Sequence, residues 1–189
     1  MYIAALNGSH NKKGDTWFLL NEILKNCKNA ETEILNVHEI MSDVKSPFCV
    51  CCVSPCDARC YKGTKLEEAF EKITKADAVI IGSPVYFRAV TAQLKAFFDK
   101  TRKVRSQRLW VGKPGLAVSV GASKYGGQEK VIEQIHDLML VEGMTIMGDS
   151  SADMGAGHCG VAAHRPASED ENAIARAKVA ADRINAYLK

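Results

Sequence analysis

One pattern constrains this chain more than any other: short apolar runs alternate with stretches of helical periodicity, five times over. Residues 2–6, 33–37, 78–81, 115–120 and 144–147 read as strands. The third is apolar without a break, as expected of a strand buried on both faces. Residues 16–27, 64–74, 91–103, 128–141 and 169–188 read as helices. Trp17, Leu20, Ile23, Leu24 and Cys27 form one apolar stripe, and Leu94, Phe97 and Phe98 form another. Thr64 and Glu67 have the spacing of a capping box. Such alternation predicts an α/β fold, a parallel sheet with helices on both faces.

At 189 residues the chain is long enough to bury a core as one domain. No repeat, low-complexity tract or shift of composition divides residues 1–189. With 47% apolar and 25% charged residues, the composition is that of a globular protein. No apolar run reaches the ~20 residues of a membrane-spanning helix, so no membrane partner is expected. MYIAALNGSH has no basic start, signal-length apolar stretch or small-residue cleavage site, and a cytoplasmic location is expected. Net charge is a modest +3. The one basic run, KTRKVRSQR at residues 100–108, fits a solvated helix end or a site for an anionic ligand or partner. No interleaved aromatic motif accompanies it, so nucleic acid is not expected as a partner.

In an open parallel sheet, ligands bind beyond the carboxyl ends of the strands. Three loops stand there. Residues 7–16, NGSHNKKGDT, open a helix with small residues and hydroxyls, which suits a terminal phosphate or a plain N-cap turn with Asp15 or Thr16 as cap. The dinucleotide G-x-G-x-x-G and the P-loop G-K-[ST] are both absent. Residues 82–87, GSPVYF, place Tyr86 and Phe87 at a strand end, as a platform for an aromatic ring system or as a cover for the core. Residues 121–128, GASKYGGQ, set two glycines before a helix, in a ligand-facing or a merely flexible loop. The first two loops together describe a flavin site at the switch point of a five-stranded 2-1-3-4-5 sheet.

At these residues the chain resembles a known family. GSHNKKGDT is similar to the GSPR-x-x-(S/G)-N-T phosphate loop of NAD(P)H-dependent FMN reductases. ADAVIIGSPVYFRAVTAQLKAFFDK resembles the block A-D-x-I-I-x-G-S-P-V-Y-x-x-x-x-(S/T)-x-x-L-K-x-F-x-D-R of that family's flavodoxin-fold iron–sulfur flavoproteins. SVGASKYGGQE is similar to the third flavin loop; the likeness runs from residue 2 to about 148 and loosens from 150 onward. The resemblance implies a flavodoxin-like three-layer sandwich with FMN as cofactor. It implies that Ser9, Asn11, Asp15 and Thr16 surround the phosphate, and that Pro84, Val85, Tyr86 and Phe87 line the isoalloxazine. Gly121, Ala122, Ser123, Gly126 and Gly127 fall on its other edge. Asn11 stands where the family has Arg, and Asp15 where it prefers Asn. A carboxylate beside a phosphate is unfavourable unless it faces away, and Lys12 and Lys13 are the candidate compensating charges. The resemblance also implies a homodimer or homotetramer.

Five of the seven cysteines crowd a loop at residues 47–62. In a reducing compartment such crowding favours metal or redox chemistry over disulfides. The run Cys49-x2-Cys52-x3-Cys56-x3-Cys60 resembles the C-x2-C-x2-C motif, followed later by a last cysteine, of the iron–sulfur flavoproteins. One gap is a residue longer, and Cys51 is an additional thiol. A 4Fe-4S cluster, zinc and free redox-active thiols all remain open. His158, Cys159 and His164 near the 153–160 glycine-rich loop lack the further ligands of a metal site.

The expected activity is that of an FMN-dependent oxidoreductase, with the flavin carrying the chemistry and no catalytic side chain required. NAD(P)H or a low-potential carrier protein is the expected donor, and a cluster would relay electrons singly. A flavodoxin-type electron carrier and a zinc-stapled binding module are the competing readings.

Overall fold

Strands buried on both faces need apolar side chains at consecutive positions, and three stretches of this chain supply them. These become β1 (Tyr2–Asn7), β3 (Ala78–Pro84) and β4 (Pro114–Gly121) at the centre of the sheet. β2 (Glu31–Asn36) lies at one edge, where Glu31 and Thr32 face solvent. In the computed structural model, which describes residues 1–153 and 155–189, the sheet is parallel and ordered β2-β1-β3-β4-β5, as expected. Asn7 pairs with Gly82, and Ser83 with Ser119, so the strand ends that precede the three candidate loops stand side by side.

Alternate residues of each strand serve opposite faces. Ile3 and Ala5 pack with Leu20, Ile80, Val118, Ala177 and Ile184 beneath α1 (Asp15–Lys25) and the C-terminal helix. Ala4 and Leu6 pack with Phe70, Ile81, Phe97 and Ile135 on the other face. That face is covered by α3 (Lys65–Lys75), α4 (Ala92–Asp99) and α6 (Gln128–Val141). The short α2 (Val37–Ser42) follows β2, and α5 (Arg102–Ser106) follows α4.

Three expectations are corrected. The expected helix over 91–103 breaks between α4 and α5: Lys100 and Thr101 N–H close tight turns onto Phe97 O and Phe98 O, and the Thr101 hydroxyl bonds Phe98 O and buried Glu142. The second strand ends at Asn36, whose side chain is held by Asn7, and Val37 opens α2. The capping box is displaced: Thr64 accepts from Leu66 N–H, but Glu67 reaches Gly63 N–H rather than the cap residue. The expected five strands gain a short sixth among the described residues. β5 (Thr145–Met147) pairs along residues 114–116 of β4, and β6 (Val161–His164) pairs along residues 118–121 of the same edge. Ala-rich VAAH carries little strand propensity and does not announce itself in the sequence.

Between β5 and β6 the chain leaves the sheet, and buried Asp149 closes the base of the excursion by bonding Arg176 of α7 (Glu171–Tyr187). The expected 153–160 loop lies here, with Met154 outside the described residues. No helix among the described residues is long and apolar enough to cross a membrane.

Candidate functional site

The three loops meet at the carboxyl end of the sheet through backbone hydrogen bonds. Gly8 N–H donates to Gly82 O at 2.8 Å, and Val85 N–H donates to Val120 O at 2.9 Å. Thr91, the N-cap of α4, joins two of them: its hydroxyl donates to Gly8 O at 2.6 Å, while its N–H donates to Ser83 Oγ at 3.2 Å. Nothing in the sequence marks Thr91 for this beyond its cap position.

Loop one, residues 8–14, is a chain of side-chain-to-backbone turns. Asn7 Oδ1 accepts Ser9 N–H, Ser9 Oγ accepts Asn11 N–H, and Asn11 Oδ1 accepts Lys13 N–H. Asn11 therefore shapes the loop through its amide oxygen. Gly8 is required by close approach, since a β-carbon there would sit 2.7 Å from the Gly82 carbonyl oxygen. The loop delivers the chain to α1 with Gly14 as N-cap and no side-chain cap. Neither Asp15 nor Thr16 plays the capping role. Asp15 is held by the far end of the chain, its carboxylate accepting Ala167 N–H at 2.8 Å and Arg165 Nε at 3.1 Å. Thr16 is buried on the first turn. Lys12 is drawn off to Glu39, an exposed pair, which leaves Lys13 alone of the two expected compensating charges without an ion pair among the described residues.

Loop two is a hairpin. Tyr86 and Ala89 exchange both backbone hydrogen bonds at 3.0 Å, with Phe87 (φ +50°) and Arg88 (φ +61°) as the two central residues. Such a turn favours Asn-Gly, because both centres lie in the left-handed region. Here a bulky aromatic and an arginine bear that strain, and Phe87 is fully exposed at 103%. Phe87 thus does not cover the core. The hairpin is braced on both sides. Tyr86 Oη lies 2.9 Å from His10 Nδ1 on loop one, and Gln134 of α6 bonds Arg88 O and Val90 N–H. Pro84 and Val85 are half-buried at its base. His10 was not distinguished by the sequence pattern.

Loop three turns at Ser123 O, which accepts Gly126 N–H at 3.1 Å and the Gln128 amide. A β-carbon at Gly121 would meet the end of the Gln128 side chain, which would have to give up its place against Ser123 O. Gly127, at φ +100°, is the N-cap of α6, again without a side-chain cap. Ala122, Ser123 and Tyr125 are exposed beside it. The contrast with the other helices of at least eight residues is instructive. α3, α4 and α7 carry side-chain caps at Thr64, Thr91 and Asp170; α1 and α6, which open onto the candidate loops, do not. Uncapped N-terminal N–H groups are ready anion and carbonyl-edge donors.

The cysteine segment lies over the α4–α5 junction. Lys100, only 2% exposed, points Nζ at Cys60 Sγ, 3.7 Å away, and Arg102 donates to Val53 O at 3.3 Å. The start of the basic run is therefore a buried support for this loop rather than a solvated helix end. Cys49, Cys56 and Cys60 are half-buried, Cys51 and Cys52 exposed, and all are free thiols. Among the described residues no three Cys, His, Asp or Glu side chains converge as metal ligands, at Cys49, Cys52, Cys56 and Cys60 or at His158, Cys159 and His164. The four thiols have the donor chemistry of a cluster site without its geometry, so no step is assigned to a cluster.

Comparison with known proteins agrees with this architecture. The chain is 35% identical to an iron–sulfur flavoprotein of Methanocaldococcus jannaschii over 165 residues, covering 85% of this chain and 83% of that one. It is 34% identical over 171 residues to an iron–sulfur flavoprotein of Methanosarcina thermophila, covering 90% and 86%. In fold it is similar to an apo NADH:FMN oxidoreductase (TM-score 0.70, 17% identity, 100% of this chain and 90% of that one). It is likewise similar to a flavodoxin, WrbA-like protein of Agrobacterium tumefaciens (TM-score 0.69, 14% identity, 99% and 96%). The model of the NADPH-dependent FMN reductase family matches residues 1–158. With its flavodoxin-like 2-1-3-4-5 sheet and this match over most of its length, the chain belongs to the NADPH-dependent FMN reductase family.

Proposed function

We propose that the chain binds FMN across the ends of β1, β3 and β4, takes electrons from NAD(P)H or a low-potential carrier, and passes them to an acceptor. The observation that carries this reading is the pair of uncapped helices, α1 and α6, opening onto adjacent loops beside a strained, exposed aromatic hairpin. Bound FMN supplies the ring that accepts and releases electrons. The chain supplies the binding. Ser9, Asn11, Thr16 and the α1 N-terminus hold the phosphate, with the Asp15 carboxylate engaged by Arg165 and Ala167. Pro84, Val85, Tyr86 and Phe87 form one wall of the ring site, and Gly121, Ala122, Ser123, Gly126 and Gly127 the other. Bracing by His10 and Gln134 keeps that wall in place before the cofactor arrives, which lowers the ordering cost of binding.

The cysteine segment supports a second centre. The short spacing, the names of the relatives and a buried lysine with a thiol sulfur as its partner favour an anionic thiolate-bound group at Cys49, Cys52, Cys56 and Cys60, one that requires these thiols to draw together from their present positions. An anaerobic visible spectrum before and after NAD(P)H addition, with iron, zinc and sulfide analysis of the same sample, tests both readings. FMN bleached by NAD(P)H or reduced ferredoxin is the expected result, and flavin reduced by neither donor overturns the oxidoreductase reading. Iron and sulfide in equal amounts support the cluster; zinc, or no metal, refutes it. Chemically reducible flavin without NAD(P)H turnover marks a flavodoxin-type carrier, and failure to take up FMN marks a zinc-stapled module.

A further inference from the structure

A phosphate monoester carries close to two negative charges, and residues 7–16 of this chain contain no arginine. Lys12 is paired with Glu39, and Asp15 adds a carboxylate to the first turn of the helix that receives the phosphate. Within loop one, Lys13 is then the one lysine without an ion pair among the described residues. A second cation reaches α1 from the far end of the chain. Arg165 directly follows β6, its N–H bonded to Gly121 O at 3.0 Å, which fixes it beside loop three. Its Nε donates to Asp15 Oδ2 at 3.1 Å, which fixes the guanidinium at the first turn of α1. The side chain is 69% exposed, and its two Nη groups have no protein partner among the described residues.

The geometry points to Arg165 as a phosphate-binding residue for FMN, held in place by Asp15 and standing in for the arginine that loop one lacks. Asp15 then has a purpose. One carboxylate oxygen fixes the 165–167 backbone through Ala167 N–H, and the other orients the guanidinium with its remaining donors free. In this pair the chain leaving β6 brings the guanidinium and α1 the carboxylate that orients it. Arg165 lies beyond the residues matched by the family model, which end at 158. The assignment deepens the FMN reading and rests on it.

Fluorescence titration of the flavin-free protein separates the two. FMN and riboflavin share the ring and ribityl chain and differ in the phosphate. For the native chain, FMN is expected to bind far more tightly than riboflavin; no FMN binding refutes the FMN reading itself. Arg165→Gln is expected to raise the FMN dissociation constant by roughly tenfold or more, the range for a charge-assisted hydrogen bond, and to leave riboflavin affinity unchanged. An equal loss for both ligands, or no loss for either, overturns the assignment. A Lys13→Gln variant that loses FMN affinity while Arg165→Gln keeps it places the charge on loop one and overturns the assignment as well. The double variant Asp15→Asn/Arg165→Gln asks whether Arg165 merely screens Asp15. If native FMN affinity returns, the role is screening and the proposal fails; continued weak binding of FMN alone supports direct phosphate contact.

Discussion

Asp149 and Arg176 offer the sharpest energetic test of the fold. The Asp149 side chain is wholly buried, and Arg176 is nearly so. Arg176 Nε donates to Asp149 Oδ2 at 2.5 Å, its Nη2 to Asp149 O, and His158 N–H donates to the other carboxylate oxygen. Arg176→Met keeps much of the volume and strands a buried carboxylate. Breaking one side of a buried pair costs about 3–5 kcal/mol. At about 2–4 °C per kcal/mol for a chain of this size, Tm should fall by roughly 6–20 °C. Burial pushes the Asp149 pKa up, but Arg176 and the His158 N–H outweigh it and hold the carboxyl below its ordinary value. A depressed folded pKa means stabilisation present above the ordinary carboxylate range, near pH 4, and lost as pH falls through the folded value. The native-minus-variant gap in Tm should therefore be largest near neutrality and shrink towards acid. Asp149→Asn combined with Arg176→Met should cost less than Arg176→Met alone, because no charge is then stranded. Differential scanning calorimetry at stepped pH reads all three. A fall of less than about 3 °C at neutral pH, or a gap that does not change with pH, would refute the reasoning.

Other perturbations have equally definite outcomes. Gly8→Ala forces a β-carbon against the Gly82 carbonyl, so it should cost about 1–3 kcal/mol in urea unfolding and loosen FMN together. Phe87→Gly relieves left-handed strain, so the flavin-free protein should gain about 1 kcal/mol while FMN binds more weakly; a loss of apo stability would contradict the strain argument. Trp110 is 1% exposed, lies edge-on to Phe70 and Phe98, and donates Nε1–H to Thr74 Oγ1 at 3.1 Å. Trp110→Ala should cost about 3–5 kcal/mol by denaturant titration, and Trp110→Phe markedly less.

The sheet and the placement of the three loops were legible because they follow from periodicity, which local sequence records directly. Apolar runs at β1, β3 and β4, Leu20, Ile23 and Leu24 of α1, and Leu94, Phe97 and Phe98 of α4 fall where the pattern places them, while Trp17 is only half-buried and Cys27 lies past the end of α1. What escaped depends on contacts distant in sequence. The turn at Thr101 is bonded to Glu142, the strand at residues 161–164 needs β4 beside it, and the orientation of Asp15 needs Arg165 and Ala167. The Phe87–Arg88 turn escaped for another reason: its residues run against the preference for that turn, so the signal was present with the wrong sign. Lys100 read as part of a solvated run because charge density along a chain says nothing of which members the fold buries.

The broken edge of the sheet carries a consequence for self-association. An open parallel sheet ends in unpaired backbone donors and acceptors, a template on which a second molecule can add strands. Here the outermost position beyond β4 is divided between three residues of β5 and four of β6. The chain departs between them, so no continuous ladder of useful length is offered to a neighbour. At the opposite border β2 begins with exposed Glu31 and Thr32 and contains Glu33 in an ion pair with Lys72. Both borders are thus poor templates for strand addition. Strand addition across either border is therefore disfavoured, which leaves the sheet finite.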